Sequence, residues 1–108
     1  MKLPEITHLQ FLVLGHLRQS PRLGRELRRE LARHGVRRSG PAFYQMMARL
    51  EDAELVAGEY DQKVIAGQII KERRYVVTAA GAAAWNLTRD FYLKKIATFD
   101  EGRGLAHA

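Results

Sequence analysis

The fold is decided by SGPAFYQMMARLEDAELV, residues 39–56, which has the pattern of a single amphipathic helix. Ser39 or Gly40 can cap its first turn, and Pro41 suits that turn because its missing N–H would have no intrahelical partner there. Apolar residues then recur at helical spacing, as Phe43, Met47 and Leu50. We therefore predict a helix over residues 39–56 with one buried face.

The opposite face of this helix is small, polar and basic. It consists of Ala42, Gln45, Ala48 and Arg49, with Tyr44 on the shoulder. Small side chains let a helix lie close to a groove, and Gln45 and Arg49 can donate hydrogen bonds to base edges or phosphates. A helix that reads DNA would have this pattern. An ordinary solvent-exposed face is the alternative, and these residues alone do not decide between the two.

Composition limits the class of protein. A chain of 108 residues, 46% of them apolar, has room for one folded domain with a modest core. It has no cysteine for disulfides or thiolate chemistry. The longest purely apolar run, Phe11 to Leu14, is far too short to cross a bilayer, and the N-terminus does not resemble a signal peptide. We expect a cytoplasmic protein that does not enter a membrane.

Charge points to a polyanionic partner. Lysine and arginine exceed aspartate and glutamate by 18 to 12, for a formal net charge of +6. Between His16 and Arg49 the only acids are Glu26 and Glu30. The arginines in that interval stand at positions 18, 22, 25, 28, 29, 33, 37, 38 and 49. The positive charge therefore surrounds the predicted helix.

Two further helices precede this stretch. Thr7 can cap a first helix that runs to about Leu17. Phe11, Leu12 and Leu14 lie outside its main apolar stripe, so we expect a second surface to cover them.

Ser20-Pro21 predicts the start of a second helix, roughly Pro21 to His34. Its inner stripe is Leu23, Leu27 and Leu31, and nearly opposite lie Arg22, Arg25, Arg29 and Arg33. These arginines either face phosphates or form a solvated face paired with Glu26 and Glu30. The short link at residues 35–38 then joins two helices, which predicts a helix-turn-helix.

After Leu55 the apolar period changes to that of strands. Residues 56–64 and 69–77 predict a β-hairpin with a turn near Ala66-Gly67. The hairpin is basic at Lys63, Lys71, Arg73 and Arg74, and Tyr60, Tyr75 and Val77 are expected to pack back on the helices. Its position after the helix-turn-helix predicts a wing that can follow a nucleic-acid backbone. A charged, solvent-facing hairpin is the alternative.

Thr78 can cap a last helix over residues 79–99, and residues 100–108 are expected to be a disordered tail. This helix has two apolar faces, one with Trp85, Tyr92, Ile96 and Phe99 and the other with Leu87 and Phe91. That is more apolar surface than one small domain can cover. We therefore predict a winged helix-turn-helix DNA-binding domain at residues 1–78, with a dimerisation helix at 79–99 packed on it.

Several segments resemble the PadR-like winged-helix transcriptional regulators, over about residues 7–85. The segment FYQMMARLEDAELV is similar to a family pattern of leucine-tyrosine, leucine, arginine, leucine-glutamate and closing glycine-leucine, here at Phe43-Tyr44, Met47, Arg49, Leu50-Glu51 and Leu55. The segment RRYVVTAAG resembles the end of the wing, at Tyr75, Thr78 and Gly81. The segment LGRELRREL is similar to a glycine-tyrosine segment that opens the second helix, with Gly24 in place.

The resemblance implies a dimer held by the first and last helices, DNA binding through the third helix and the wing, and commonly repression. Three departures stand out. Arg25 occupies a usual tyrosine position, Glu54 occupies a usual glycine position, and the wing's turn is apolar at Val64 and Ile65. The substitution at Glu54 affects the turn into the wing, because glycine adopts left-handed backbone conformations far more readily.

Patterns for catalysis or metal binding are missing from the sequence. No pair among His8, His16, His34 and His107 has a metal-ligand spacing with an acidic or cysteine companion, and there is no glycine-rich phosphate loop. We expect neither an enzyme nor a bound metal or other cofactor. Trp85 can line a pocket for a small aromatic effector at a dimer interface, although a lone tryptophan on a helix more often belongs to the core.

The sequence thus predicts a homodimeric, sequence-specific DNA-binding regulator of transcription, most simply a repressor on a palindromic operator. The alternatives are a winged-helix interaction module with an acidic protein partner and a small-molecule sensor centred on Trp85. The predicted DNA contacts are Arg22, Arg25, Arg29, Arg37, Arg38, Ser39, Ala42, Tyr44, Gln45, Arg49, Lys63, Lys71 and Arg73. The predicted dimer contacts are Phe11, Leu12, Leu14, Leu87 and Phe91.

Overall fold

Four helices and a small antiparallel sheet make up the structure. The computed structural model describes the backbone of residues 3–106 and the side chains of residues 3–102. The elements are α1 (His8–Gln19), β1 (Arg22–Leu23), α2 (Gly24–Arg33), α3 (Gly40–Asp52), β2 (Val56–Ile65), β3 (Gln68–Val77) and α4 (Ala79–Ala106). The predicted fold class, a mainly helical winged helix-turn-helix with a C-terminal helix, is confirmed.

Helix α3 begins where the sequence predicts and ends earlier. The Ser39 hydroxyl caps it by accepting a 3.2 Å hydrogen bond from the Ala42 N–H. The helix stops at Asp52 rather than Val56, because Glu54 adopts a left-handed conformation with φ 60°. The hydroxyl of Thr78 donates a 2.7 Å hydrogen bond to the Glu54 carbonyl and holds this turn. Glu54 therefore takes a conformation that glycine usually supplies, at a cost of about 1–2 kcal/mol.

The predicted start of the second helix is wrong. Arg22 and Leu23 form strand β1, which pairs with Tyr75 and Arg74 of β3, and α2 begins only at Gly24. The carboxylate of Glu26 accepts the Leu23 N–H at 2.8 Å and satisfies a donor at the helix start. Because Ser20-Pro21 precedes a strand, Arg22 lies on the sheet and not on the arginine stripe of α2.

The core lies between α1, α2, α3 and the base of the sheet. Its members are Val13, Leu14, Leu17, Leu27, Leu31, Phe43, Met46, Met47, Leu50, Val56 and Tyr75. The prediction that Leu14 faces a dimer partner is wrong, since its exposure is 0%. Helix α1 packs against both α4 and β3, which buries Leu14 within the chain, whereas Phe11 and Leu12 stay partly exposed.

The wing is formed by β2 and β3, in a sheet of order β1-β3-β2. Ala66 and Gly67 form its two-residue turn, both with positive φ (52° and 77°), which matches the twist of the flanking strands. Tyr75 is buried as predicted. The prediction for Tyr60 is wrong, because its ring is 68% exposed and lies under the Arg73 guanidinium, 4.9 Å from the ring centroid.

Helix α4 is longer than predicted. It continues through residues 100–106, where we expected a disordered tail, and its 28 residues span about 42 Å. Gly102 and Gly104 cost the helix only about 1 kcal/mol each, and no proline stops it. His107 and Ala108 lie outside the described residues. In the described part of the chain, no helix is long and apolar enough to cross a membrane.

Candidate nucleic-acid interface

The outward face of α3 is free, as the sequence predicts. Ala42, Tyr44, Gln45, Ala48 and Arg49 are exposed, whereas the apolar residues on the other side of the helix are buried. The side chains of Gln45 and Arg49 form no hydrogen bond or ion pair with any described residue. They border a groove of about 660 Å³ between α3 and the first turn of α1, which Arg38 also lines. Two long donors thus flank a small-residue surface.

Tyr44 has a different environment from its neighbours on α3. Its ring meets Phe43 edge-on, with centroids 5.1 Å apart, and also lies against Gly24 at the start of α2. A Cβ atom at Gly24 would lie 2.6 Å from the Tyr44 hydroxyl oxygen, so a larger residue there would displace the Tyr44 ring. Tyr44 therefore links α3 to α2 while keeping one edge in solvent.

Two ion pairs attach the wing to the helices. Arg73 on β3 donates to both Glu51 carboxylate oxygens, at 2.8 and 3.3 Å, and Arg25 on α2 donates to Glu72 on β3 at 2.6 Å. The hydrogen bond to its carboxylate raises the pKa of each arginine. Both arginines are in the predicted DNA-contact set. In the structure their first partners are carboxylates, so a phosphate would have to compete for them.

The remaining predicted cations have no carboxylate partner among the described side chains. They are Arg22, Arg29, Arg37, Arg38, Arg49, Lys63 and Lys71. Arg22 donates to the Ser20 hydroxyl at 3.1 Å, and Arg38 donates to the Arg37 carbonyl at 2.9 Å. Cations held by neutral oxygens keep their full charge for an anionic partner.

Sequence reasoning missed Arg28. Its guanidinium donates to the Arg38 carbonyl at 3.2 Å and lies beside Gly40 at the start of α3. With Arg29, Arg37 and Arg38 it lines a cleft of about 200 Å³ at the link between α2 and α3. On a helical wheel Arg28 lies about 60° from Leu31, so the arginine stripe did not include it.

The two wing lysines lie on opposite faces of the hairpin. Lys63 pairs across the strands with Ile70, and Lys71 pairs with Gln62. Cross-strand partners share a face and successive residues alternate between faces. A partner that contacts both lysines must therefore surround the end of the wing.

Comparison with known proteins bears on this arrangement. The model of the family described as "Transcriptional regulator PadR-like family" matches residues 13–86. The chain belongs to this family. No match was found among curated proteins. Because the family consists of transcriptional regulators, the predictions of a regulator and of a protein that is not an enzyme are confirmed.

Solved PadR structures have the same fold. The PadR family regulator from Eggerthella lenta is 28% identical, with a TM-score of 0.66 over 91% of this chain and 80% of that one. A PadR-like transcription factor from Bacteroides fragilis is 14% identical, with a TM-score of 0.75 over 86% and 87%. A PadR family regulator from Clostridium difficile is 16% identical, with a TM-score of 0.70 over 85% and 96%.

A second surface of this PadR-like chain is apolar and lies between α1 and α4. Helices α1 and α4 enclose a groove of about 470 Å³ whose lining includes the predicted residues Phe11 and Leu12. Leu87 is half-buried and Phe91 is partly exposed. Beyond them α4 exposes a larger apolar set, which is Tyr92, Leu93, Ile96 and Phe99. Leu93 was missed in the sequence because it lies between the two predicted faces.

Trp85 is already stacked by side chains of its own chain. Phe11 lies parallel to its indole, with centroids 5.3 Å apart and an interplanar angle of 2°. The Arg18 guanidinium lies 3.9 Å from the ring centroid and that of Arg89 lies at 5.2 Å. Gly15 allows the close approach, since a Cβ there would be 2.9 Å from the indole nitrogen. A flat ligand on this indole would have to displace one of these groups.

Proposed function

We propose that this PadR-like regulator is a homodimeric repressor that reads a palindromic DNA operator with α3. The observation that carries the proposal is the outward face of α3, where Gln45 and Arg49 are exposed without partners among the described residues, beside Ala42 and Ala48. Polar side chains of this length on a small-residue helix suit the major groove, which admits one helix. Occupying an operator blocks transcription sterically. We also propose a cytoplasmic location, in keeping with DNA as partner.

Within this proposal the groups divide between reading bases and holding phosphates. The N-terminal half of α3 enters deepest, so Gln45 reaches a base edge and Arg49 reaches a guanine or a flanking phosphate. Ser39 and the Tyr44 hydroxyl hold phosphates at the edge of the groove. Positively charged side chains on both sides of α3 neutralise the DNA phosphates. They are Arg22, Arg29, Arg37, Arg38, Lys63 and Lys71.

The second copy covers the apolar surface of α1 and α4. Tyr92, Leu93, Ile96 and Phe99 follow one another over two turns of α4, and a continuous exposed apolar stripe of this kind marks an interface. We place residues 79–99 in this dimer contact, together with Phe11 and Leu12. Two-fold symmetry then presents two α3 helices to half-sites about 34 Å apart, or one turn of DNA.

The test combines selection with a salt titration. Purified protein selects fragments from the source genome, and binding to the best fragment is measured between about 50 and 200 mM salt. We expect Arg29→Ala to weaken binding to all sequences and to reduce the salt slope by about 0.9 for each phosphate that the variant no longer neutralises. Arg33→Ala is the matched control, because Arg33 lies on the same helix and pairs with Glu30 at 3.2 Å. Equal slopes for the two variants would contradict the phosphate role of Arg29.

The same experiment, together with a fluorescence measurement, tests the rival functions. A winged-helix module with an acidic protein partner would show no sequence preference and little DNA binding at physiological salt. A regulator with an aromatic effector would change the fluorescence of Trp85 on adding the effector. The stacking of Trp85 on Phe11 weighs against the effector, since a ligand could reach that indole face only after rearrangement.

A further inference from the structure

The wing ends in an exposed apolar cluster. The side chains of Val64, Ile65, Ile69 and Ile70 are 71%, 54%, 63% and 37% exposed. Val64 and Ile69 face each other across the strands, whereas Ile65 and Ile70 lie on the opposite face. Apolar side chains thus cover both sides of the tip, an unfavourable arrangement for a hairpin that faces only water.

The polar residues of the tip are basic or neutral. No acidic residue occurs between Gln62 and Lys71, and the polar side chains in that segment are Gln62, Lys63, Gln68 and Lys71. The nearest acids are already paired, Asp61 with Arg74 at 3.8 Å and Glu72 with Arg25 at 2.6 Å. The tip therefore offers positive charge and amide groups around an apolar centre. Such a surface suits a polyanion such as DNA better than a basic or neutral protein groove.

The tip extends beyond the three-stranded part of the sheet, while Lys71, Glu72 and Arg73 at its base lie against α2 and α3. Strand β1 pairs with β3 only at Arg74 and Tyr75, so six residues of β3, Gln68 to Arg73, extend beyond the three-stranded part. At 3.3 Å per residue this is about 20 Å. The pair between Glu51 on α3 and Arg73 fixes the base of the extension to the proposed reading helix. The tip is thus a continuation of the α3 surface.

We propose that the wing tip is an apolar wedge that enters the DNA minor groove beside the α3 site and bends the duplex. This inference rests on the proposed function. A hairpin with side chains on both faces is about 10 Å thick, whereas the minor groove is about 6 Å wide. The tip cannot enter undeformed B-form DNA. Isoleucine and valine open the base step, and Lys63 and Lys71 reach the phosphates on the two sides of the groove.

Specificity follows from this deformation. Pyrimidine–purine steps unstack and kink more easily than other steps. The wing therefore favours such a step at a fixed distance from the α3 site, although it makes no hydrogen bond that identifies the base pair. Fragments selected by the protein should show this preference at a fixed position. Base analogues with altered major-groove edges should not change binding when they replace the bases at that position.

The test measures DNA bending. A duplex selected by the purified protein carries a donor and an acceptor dye at its ends, and energy transfer reports the end-to-end distance. The variant Val64→Thr, Ile65→Thr, Ile69→Thr, Ile70→Thr keeps β-branched strand formers but removes apolar groups. We expect it to lose most of the bend and about tenfold in affinity, a change of about 1.4 kcal/mol. Val76→Thr, an exposed valine near the base of the same strand, is the control and should behave as the unaltered protein.

A second variant separates the wedge from simple attraction. Val64→Lys, Ile69→Lys adds two positive charges on one face of the tip. A wing that only follows phosphates would then bind more tightly, whereas a wedge loses its bend. Unchanged bending in both variants, with far-ultraviolet circular dichroism confirming folding, would overturn the inference while leaving the function of α3 intact. Absence of any DNA binding by the unaltered protein would instead remove the proposed function, and this inference with it.

Discussion

The ion pair between Glu51 and Arg73 offers the sharpest test of how charge is used on this surface. Arg73 can either attach the wing to α3 or hold a DNA phosphate, and the two roles predict different results for its partner. The substitutions are Glu51→Gln and Arg73→Gln, which remove one charge each and keep most of the side-chain volume. If the pair positions the wing, both variants weaken DNA binding, because each removes the ion pair that attaches the wing to α3.

The expected loss of stability follows from the geometry and the exposure of the pair. Both Glu51 and Arg73 side chains are about one-quarter exposed (26% each), and two hydrogen bonds join them. Exposed pairs are worth about 0.2–1 kcal/mol, and bidentate geometry places this one near the upper end. We expect each variant to lower the unfolding free energy by about 1 kcal/mol, or the melting temperature by about 4 °C. The double variant should lose less than the sum of the two single losses.

The assay is thermal unfolding together with fluorescence anisotropy on one DNA fragment at one salt concentration. Positioning predicts that Glu51→Gln lowers DNA affinity even though it adds net positive charge. If instead Glu51→Gln tightens binding and Arg73→Gln weakens it with a smaller salt slope, Arg73 is a phosphate contact, and the positioning argument is refuted.

Four further predictions can be checked on the same protein. Gln45→Ala should cost about 1–3 kcal/mol on the selected fragment and much less on unrelated DNA, and equal losses on both would contradict base reading. Ile96→Lys should produce monomers in sedimentation, since the charge lies in the proposed dimer contact. A variant that stays dimeric would show that the dimer contact does not include Ile96. Glu54→Gly should raise the unfolding free energy by about 0.5–1 kcal/mol by relieving the left-handed backbone, as measured by urea denaturation. Burial raises the pKa of Tyr75 to about 12, so the buried neutral side chain stabilises the fold fully below about pH 10, and this stabilisation is lost as pH rises towards 12. Relative to Tyr75→Phe, the unfolding free energy of the unaltered protein should fall by about 2–3 kcal/mol over that range.

The sequence predicts the local features of the structure well, because those features depend on neighbouring residues. The Ser39 cap and the apolar spacing of residues 43–50 define the start and the buried face of α3. The Ala66-Gly67 turn follows from the change to a strand period on both sides. The free outward face of α3 follows directly from its buried one.

The errors concern contacts between distant parts of the chain. Strand β1 exists because Arg22 and Leu23 meet β3 more than fifty residues later, which outweighs the helical pattern around them. Leu14 is buried because α1 has neighbours on several sides, and helical spacing cannot show that. The ion pairs of Arg25 and Arg73 join residues 47 and 22 positions apart, so their charges appeared free in the sequence.

These pairings change what the positive charge can do. The predicted DNA-contact set contains nine cations per subunit, and the structure gives two of them, Arg25 and Arg73, carboxylate partners. Seven remain for phosphates, so the salt dependence of a dimer should be smaller than the sequence alone indicates, at about 0.9 per phosphate contact. The paired arginines instead attach the wing to α2, through Arg25, and to α3, through Arg73. If the wing enters a groove of the DNA as proposed, it must keep a fixed distance from α3. We therefore expect the paired arginines to contribute to specificity rather than to general affinity.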